Sequence, residues 1–162
     1  MANSELSFND DEFIVSKTDL AGHITYGNDL FISLSGYSET ELLGSPHNIL
    51  RHPQMPKVIF KLLWERVQNG KEIFAYVKNR TKDDNFYWVF AHVTPSYNNG
   101  GHIIGYHSVR RKPSHEALNT IRPLYDSLLN AERTGGIAAS LSIIDNQLSH
   151  LGKSYDQFIL AL

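Results

Sequence analysis

The chain contains no cysteine, which excludes disulfide bonds, thiolate metal ligands and thiol nucleophiles. It has no excess of basic charge either: 15 Lys and Arg residues stand against 17 Asp and Glu residues, giving a net charge of -2. Nucleic-acid-binding domains are far more basic. No apolar run approaches the ~18 residues that a transmembrane helix needs, and the polar N-terminus is not typical of a signal peptide. We therefore expect a cytoplasmic protein that neither binds nucleic acid nor inserts into a membrane.

The chain does have enough apolar sequence for one packed domain. Its 162 residues are 41% hydrophobic and 11% aromatic, which suits a single domain with some additional secondary structure. Residues 1–12 are polar and acidic, and we interpret them as an N-terminal arm or cap. Residues 13–112 form the predicted main domain, and residues 113–162 a C-terminal helical extension.

Strand patterns occur in two groups. Residues 13–18 and 23–27 are joined by the turn Asp19-Leu20-Ala21-Gly22, whose Asp and Gly favour a tight reversal. The second group comprises residues 73–80, 86–95 and 102–111, separated by short polar turns. Because consecutive hairpins make neighbouring strands antiparallel, the sequence predicts one five-stranded antiparallel sheet.

Helices are predicted between the second and third strands. Asn28 or Asp29 can cap the first, Ser38 and Glu41 form a capping box for the second, and residues 56–69 follow a long amphipathic pattern. Helices inserted there must pack on one face of the sheet, and a ligand could lie between the two layers. The predicted fold class is therefore α+β, with C-terminal helices in addition.

An amide interrupts the apolar face of the third strand. Alternation places Ile73, Ala75, Val77 and Asn79 together. Leaving a buried amide unsatisfied costs about 1–3 kcal/mol, so Asn79 either contacts a ligand or lies partly in water at the strand end. The next strand alternates in the same way and places four residues on one face: Tyr87, Val89, Ala91 and Val93.

The C-terminal extension begins with a helix capped by Ser114, which we expect to kink at Pro123 and to break at Gly135-Gly136. Ser154 can cap a last short helix. Between them, five apolar residues recur at spacings of four and three: Ile137, Leu141, Ile144, Leu148 and Leu151. Two heptads are short for an independent coiled coil. The seam therefore packs either on its own domain or against a second copy or a receptor.

Seven motifs in this order of elements resemble a PAS domain. They are Tyr26-Gly27-Asn28-Asp29, Ser35-Gly36-Tyr37, Gly44-Ser45-Pro46-His47-Asn48, Arg51-His52-Pro53-Gln54-Met55-Pro56, Val77-Lys78-Asn79-Arg80, Tyr87-Trp88-Val89 and Gly105-Tyr106-His107-Ser108-Val109-Arg110. The run from Pro46 to Pro56 is similar to the FAD-binding branch of bacterial aerotaxis receptors and their free-standing relatives. The resemblance implies a PAS sensor domain over residues 13–112.

The resemblance also implies a function and a set of cofactor contacts. The domain would bind FAD and report redox or oxygen and energy status to a membrane chemoreceptor or another signalling protein in trans. Carried over by position, the flavin contacts are Asn28, Arg51, His52, Phe60 and Asn79, and the predicted cofactor-binding set is completed by His47, Asn48, Trp64 and Tyr106. Several of these have ordinary alternatives: Asn28 can act as a helix cap alone, and the two aromatic residues of the long helix can belong to the core.

Two other functions stay open. The first is a cofactor-free PAS module that docks or forms a homodimer through its sheet or its C-terminal helices, and it is favoured by Ile73, where relatives often carry tryptophan. The second is a haem-binding gas sensor, suggested by eight histidines, although none lies in the helix of residues 56–69. A light sensor of the LOV class needs a cysteine, which is absent. No nucleophile elbow, phosphate loop, carboxylate pair or histidine-pair metal motif predicts an enzyme or a metal site.

Overall fold

Five antiparallel strands form one sheet in this computed structural model, which describes residues 3–162. The strands are β1 (Ile14–Asp19), β2 (Ile24–Gly27), β3 (Ile73–Arg80), β4 (Phe86–Tyr97) and β5 (Ile103–Arg111). Their order in the sheet is β2-β1-β5-β4-β3. The predicted fold class is confirmed. Pairing of β1 with β5 joins the first hairpin to the three later strands.

Four short elements connect β2 to β3: α1 (Asp29–Ser35), α2 (Glu39–Leu42), a 3-10 helix (His47–Leu50) and α3 (Lys57–Gln68). The predicted caps are present. The Asn28 side chain accepts a hydrogen bond from the Phe31 N–H at 3.0 Å, and Ser38 and Glu41 form a capping box. By contrast, α3 follows Pro56, whose side chain offers no cap.

The core lies between these helices and one face of the sheet, called here the inner face. On β3 and β4 it is formed by the residues that alternation predicted, and all eight are at most 8% exposed. The helices contribute Phe31, Leu50, Val58 and Val67, each fully buried. At about 25 cal/mol per Å² of apolar surface removed from water, this face is the main source of stability.

The C-terminal extension consists of α4 (His115–Leu151) and α5 (Tyr155–Leu160). Backbone dihedrals within α4 depart from helical values at Gly136, with φ 67° and ψ -163°, so the predicted break is confirmed. Pro123 lies inside α4, where only Gly136 departs from helical backbone dihedrals, and the kink expected at Pro123 stays a prediction. Pro123 and Asn119, whose carbonyl loses its N–H partner, are both exposed, so water can replace the missing hydrogen bond.

The apolar seam of α4 packs on its own chain. Ile144 is buried, and together with Leu148 it faces Ile59 of α3 and Phe158 of α5 around a small apolar cavity of about 20 Å³. Leu151, at the end of the seam, is 45% exposed. Of the two alternatives for the seam, the structure favours packing within the chain.

The same helices cover the free edge of β3, whose outward-facing backbone groups would otherwise lack partners. The hydroxyl of Tyr125 donates to the Tyr76 carbonyl at 2.6 Å, and the hydroxyl of Tyr155 donates to the Phe74 carbonyl at 2.7 Å. An uncovered edge strand is a template for pairing with other chains. The C-terminal extension therefore protects the free edge of β3 from pairing with other chains.

A carboxylate from α4 also caps α3. Glu132 accepts hydrogen bonds from the backbone N–H groups of Lys57, at 2.8 Å, and Val58, at 3.0 Å. Ser140, on the far side of the Gly136 break, donates its hydroxyl to the same carboxylate at 2.8 Å. A negative charge at a helix N-terminus is favourable, and here it replaces the cap that Pro56 cannot provide.

Removing one tyrosine hydroxyl from the β3 edge should destabilise the fold. We expect Tyr125→Phe to lose about 1–3 kcal/mol of unfolding free energy, because the buried Tyr76 carbonyl then has no donor. Urea denaturation followed by tryptophan fluorescence measures this. The matched control is Tyr26→Phe, whose ring is 47% exposed. Equal effects of the two substitutions would contradict the role of Tyr125 at the edge.

Candidate functional site

A row of polar side chains crosses the inner face of the sheet. Asn79 on β3, Tyr87 on β4, Arg110 on β5 and Ser16 on β1 are 5%, 0%, 4% and 1% exposed. Asn79 and Tyr87 are directly paired, and Arg110 and Ser16 are hydrogen-bonded. Buried polar groups need hydrogen-bond partners, so this row is the part of the interior that could recognise a polar ligand.

Arg110 is the charged member of this row. Its guanidinium donates from Nη2 to the Ser16 hydroxyl at 2.5 Å and from Nη1 to Nε2 of His47 at 3.3 Å. It also lies over the Phe31 ring, with Cζ 5.2 Å from the ring centroid. Arg110 forms no ion pair with any carboxylate of residues 3–162. Burial lowers the pKa of Arg110 to about 10, so it remains protonated.

His47 is held neutral beside this cation. Nε2 of His47 lies 2.9 Å from the Ser16 hydroxyl and 3.3 Å from the Arg110 guanidinium. Because a guanidinium only donates, Nε2 must accept, which places the ring proton on Nδ1. Burial, and secondly the charge of Arg110, lower the pKa of His47 to about 3.

Two buried donors in the row have no acceptor within residues 3–162: the Nε–H of Arg110 and the hydroxyl of Tyr87. Burial raises the pKa of the Tyr87 phenol, which therefore keeps its proton. Buried polar atoms without partners are rare in native structures. A molecule with hydrogen-bond acceptors, placed in this interior, would satisfy both.

Three predicted contacts meet at the end of β3. A backbone bridge joins Arg51 to Asn79, and the Arg51 guanidinium lies over the Phe60 ring, 4.2 Å from its centroid. Burial lowers the pKa of Arg51, and Glu132 partly opposes this effect. Arg51 therefore lies between the inner face and the C-terminal extension.

Asn28, His52 and Asn48 are placed less favourably for a ligand in the interior. The amide of Asn28 accepts from Val15 N–H and donates to the Phe13 carbonyl, in addition to its role as a cap. The His52 ring lies against Phe86, with centroids 6.1 Å apart. Burial and the charges of Lys78 and Arg80 lower its pKa to about 4. Asn48 is exposed.

Trp64 and Tyr106 are at the other end of the site. Their rings meet edge to face with centroids 5.3 Å apart. Tyr106 pairs with Pro95 near the end of β4, whereas Asn79 pairs with Tyr87 near its start. The nine predicted residues are thus divided between the polar end of the site, around Asn79 and Arg51, its aromatic end, at Trp64 and Tyr106, and the surface.

The sequence-based set omitted Ser16, Tyr87 and Arg110. Alternation in β5 offered a signal, because it places Arg110 on the same face as Tyr106.

The haem alternative gains nothing from His47, whose Nε2 is occupied by donors from two side chains. Among residues 3–162, no three His, Asp or Glu side chains are grouped to hold a metal ion. Within the same range, no helix is both long and apolar enough to cross a membrane.

His47 should make stability depend on pH. Its folded pKa of about 3 lies below the ordinary histidine pKa of 6.5, so the unfolded chain binds the extra proton. The contribution is complete above pH ~6.5 and is lost as the pH falls towards 3, by about 2 kcal/mol at pH ~5. Denaturation at a series of pH values should give a flatter dependence for His47→Gln than for the wild type.

The control for this prediction is His102→Gln, on an exposed turn, which should keep the wild-type dependence. NMR titration provides a direct test, because the ring signals of His47 should not shift between neutral pH and pH ~5. Titration of this ring near neutral pH would show that it is not buried beside Arg110.

Comparison with known proteins assigns the chain to a family. A family model described as PAS fold matches residues 24–110. The aerotaxis receptor of Escherichia coli K12 is 43% identical over 125 residues, covering 77% of this chain and 24% of that protein. The nitrogen fixation regulatory protein of Klebsiella pneumoniae is 27% identical over 138 residues, covering 82% and 27%. The chain spans about a quarter of the length of these curated relatives.

Solved structures agree on the fold. A PAS domain from Colwellia psychrerythraea superposes with a TM-score of 0.57 at 25% identity, covering 62% of this chain and 86% of that one. A light-oxygen-voltage domain studied with a flavin analogue gives a TM-score of 0.58 at 23% identity, covering 71% and 86%. With the family match over residues 24–110, the chain belongs to the PAS family.

Proposed function

We propose that this chain is a cytoplasmic, non-enzymatic sensor that binds FAD between the inner face of its sheet and helices α1 to α3. The observation that carries the proposal is the polar row of Asn79, Tyr87, Arg110 and Ser16, with two buried donors that lack acceptors. A flavin ring has a polar edge rich in acceptors and an apolar edge. The interior has the same division.

The residues fit such a ring in chemical terms. Arg110 and Tyr87 supply free donors, and the Asn79 amide, whose N–H interacts with the Tyr87 phenol, supplies an acceptor. Phe60 and Ile73 belong to the apolar surroundings. When bound, FAD would supply a redox-active group that the side chains lack. The chain's own part is to hold the ring, exclude water from it and respond to a change in its charge.

The relatives support this choice of ligand and signal. One is named as an aerotaxis receptor and another as a nitrogen fixation regulatory protein, and a structure with the same fold was studied with a flavin analogue. We infer that residues 13–112 form the sensor, which reports redox or energy status. The partner that receives this signal would be a membrane chemoreceptor or another signalling protein in trans.

The C-terminal extension offers a route for the signal. Arg51 bridges Asn79 through its backbone and interacts electrostatically with Glu132. Glu132 in turn caps α3 and accepts a hydrogen bond from Ser140, beyond the Gly136 break. A ligand that draws Arg51 towards itself would weaken its interaction with Glu132. The attachment of α4 to the sensor would then depend on the state of the site.

A cofactor-free docking module is the second candidate, and the opposite, outer face of the sheet favours it. Phe74 stacks on Phe90 with centroids 5.8 Å apart, and both are only partly buried. Phe13, next to β1, is 51% exposed. Such apolar surface can pair two copies of the sheet. Native mass spectrometry distinguishes the candidates, since an empty dimer would favour docking.

The FAD proposal predicts a yellow protein whose cofactor depends on Asn79. We expect Asn79→Ala to weaken FAD binding about tenfold to a hundredfold, because one or two hydrogen bonds in a buried site are lost. Absorbance of the freshly purified protein and fluorescence titration with FAD measure this. The control is Asn146→Ala on the exposed side of α4, which should bind FAD as the wild type does.

Two results would refute the proposal. One is a colourless wild-type protein that cannot be loaded with added FAD. The other is loading of Asn79→Ala with wild-type affinity, which would place the flavin elsewhere. A Soret band in place of flavin absorbance would instead support the haem alternative.

A further inference from the structure

The interior contains a positive charge without a counter-ion. Arg110 is 4% exposed and contacts Ser16, His47 and Phe31, none of which is negatively charged. Tyr87, whose phenol keeps its proton, and His107 also interact with it electrostatically, and neither supplies a negative charge. A buried charge normally requires an opposite charge or complete hydrogen bonding. Arg110 has neither, because its Nε–H is free.

The neighbours of Arg110 fix its orientation without neutralising it. Ser16 and His47 occupy Nη2 and Nη1, and Phe31 covers one face of the guanidinium. Gly27 helps to place that ring, because any Cβ there would overlap Phe31. The guanidinium is therefore held in one position with its Nε–H still free. This is the arrangement expected of a residue that meets an anionic acceptor.

We propose that Arg110 makes the site select the more negatively charged form of its ligand, so that reduced, deprotonated FAD binds more tightly than oxidised FAD. The inference rests on the FAD binding proposed above. The oxidised ring is neutral. Uptake of two electrons and two protons leaves it neutral, whereas uptake of two electrons and one proton leaves one negative charge. Arg110 keeps its own proton throughout and contributes only its charge and its free N–H.

This selection sets the direction of the sensor's response. Tighter binding of the reduced form favours reduction of the bound flavin, so its reduction potential rises. The tightened contact lies on β5, next to β1 and the 3-10 helix that carries His47. We therefore expect the reduced state to be the more rigid one around the polar row.

The test is a redox titration of the FAD-loaded protein with dithionite as electron donor. We expect Arg110→Gln to lower the preference for reduced over oxidised FAD by about tenfold or more, which for a two-electron couple is about 30 mV. Arg110→Lys keeps a positive charge and should retain most of the preference. Arg111→Gln is the matched control, because Arg111 is the next residue, is exposed and lies on the opposite face. It should leave the potential unchanged.

A second measurement needs no substitution and covers the case in which Arg110→Gln fails to fold. The potential of a two-electron couple falls by about 30 mV per pH unit when one proton is taken up and about 59 mV when two are. The wild type should keep the smaller slope to lower pH than free FAD measured beside it. A slope break at the same pH as free FAD would overturn the proposal.

The outcomes separate the two proposals. If the wild type does not bind FAD, the proposed function fails and the role of Arg110 fails with it. If it binds FAD but Arg110→Gln and Arg111→Gln have the same potential, FAD binding stands and the selection by Arg110 is wrong. If Arg110→Gln alone shifts the potential downwards, both are supported.

Discussion

The buried guanidinium of Arg110 constrains much of the site around it. Its partners come from three separate elements: Ser16 from β1, His47 from the 3-10 helix and Phe31 from α1. The contacts with His47 and Phe31 require the 3-10 helix and α1 to lie at a fixed height above the sheet. The charge also requires His47 to stay neutral, since a second cation beside Arg110 would be strongly unfavourable. One side chain thus relates the position of the helices to the protonation of the interior.

A second constraint acts at the edge of the sheet. β3 carries Asn79 on its inner face and two carbonyls on its outer edge, and the hydroxyls of Tyr125 and Tyr155 satisfy those carbonyls. The strand that supports the polar row is therefore attached to α4 and α5. Glu132 makes a second attachment through the N-terminus of α3. Movement of the polar end of the site would therefore be transmitted to the C-terminal extension through these contacts.

Local patterns in the sequence determined most of the fold. Alternation assigned the inner faces of β3 and β4, and short polar residues assigned the caps at Asn28 and Ser38. These signals depend on near neighbours, so they can be read without tertiary information. The break expected at Gly135-Gly136 is found at Gly136, because glycine can adopt the positive φ of 67° that interrupts α4 there.

The site was harder to predict because its members come from distant parts of the chain. Asn79 stood out as an amide on an apolar face, but Arg110 looked like one more basic residue at the end of a strand. Only pairing of β1 with β5 and folding of the 3-10 helix over them reveal that it is buried without a counter-ion. Likewise, His52 is next to Arg51 in sequence but lies against Phe86, not in the interior.

Ile73, where the resemblance to the aerotaxis branch leads us to expect tryptophan, bears on how strongly this interior can hold a flavin. It is fully buried opposite Val93, at the end of β3 remote from Asn79. Replacing a large ring by isoleucine there removes apolar contact area and leaves Asn79, Tyr87 and Arg110 untouched. Apolar area contributes to affinity roughly in proportion to its size, whereas the polar row determines which ligand satisfies the free donors. The substitution should therefore weaken the hold on a flavin more than it changes the choice of ligand.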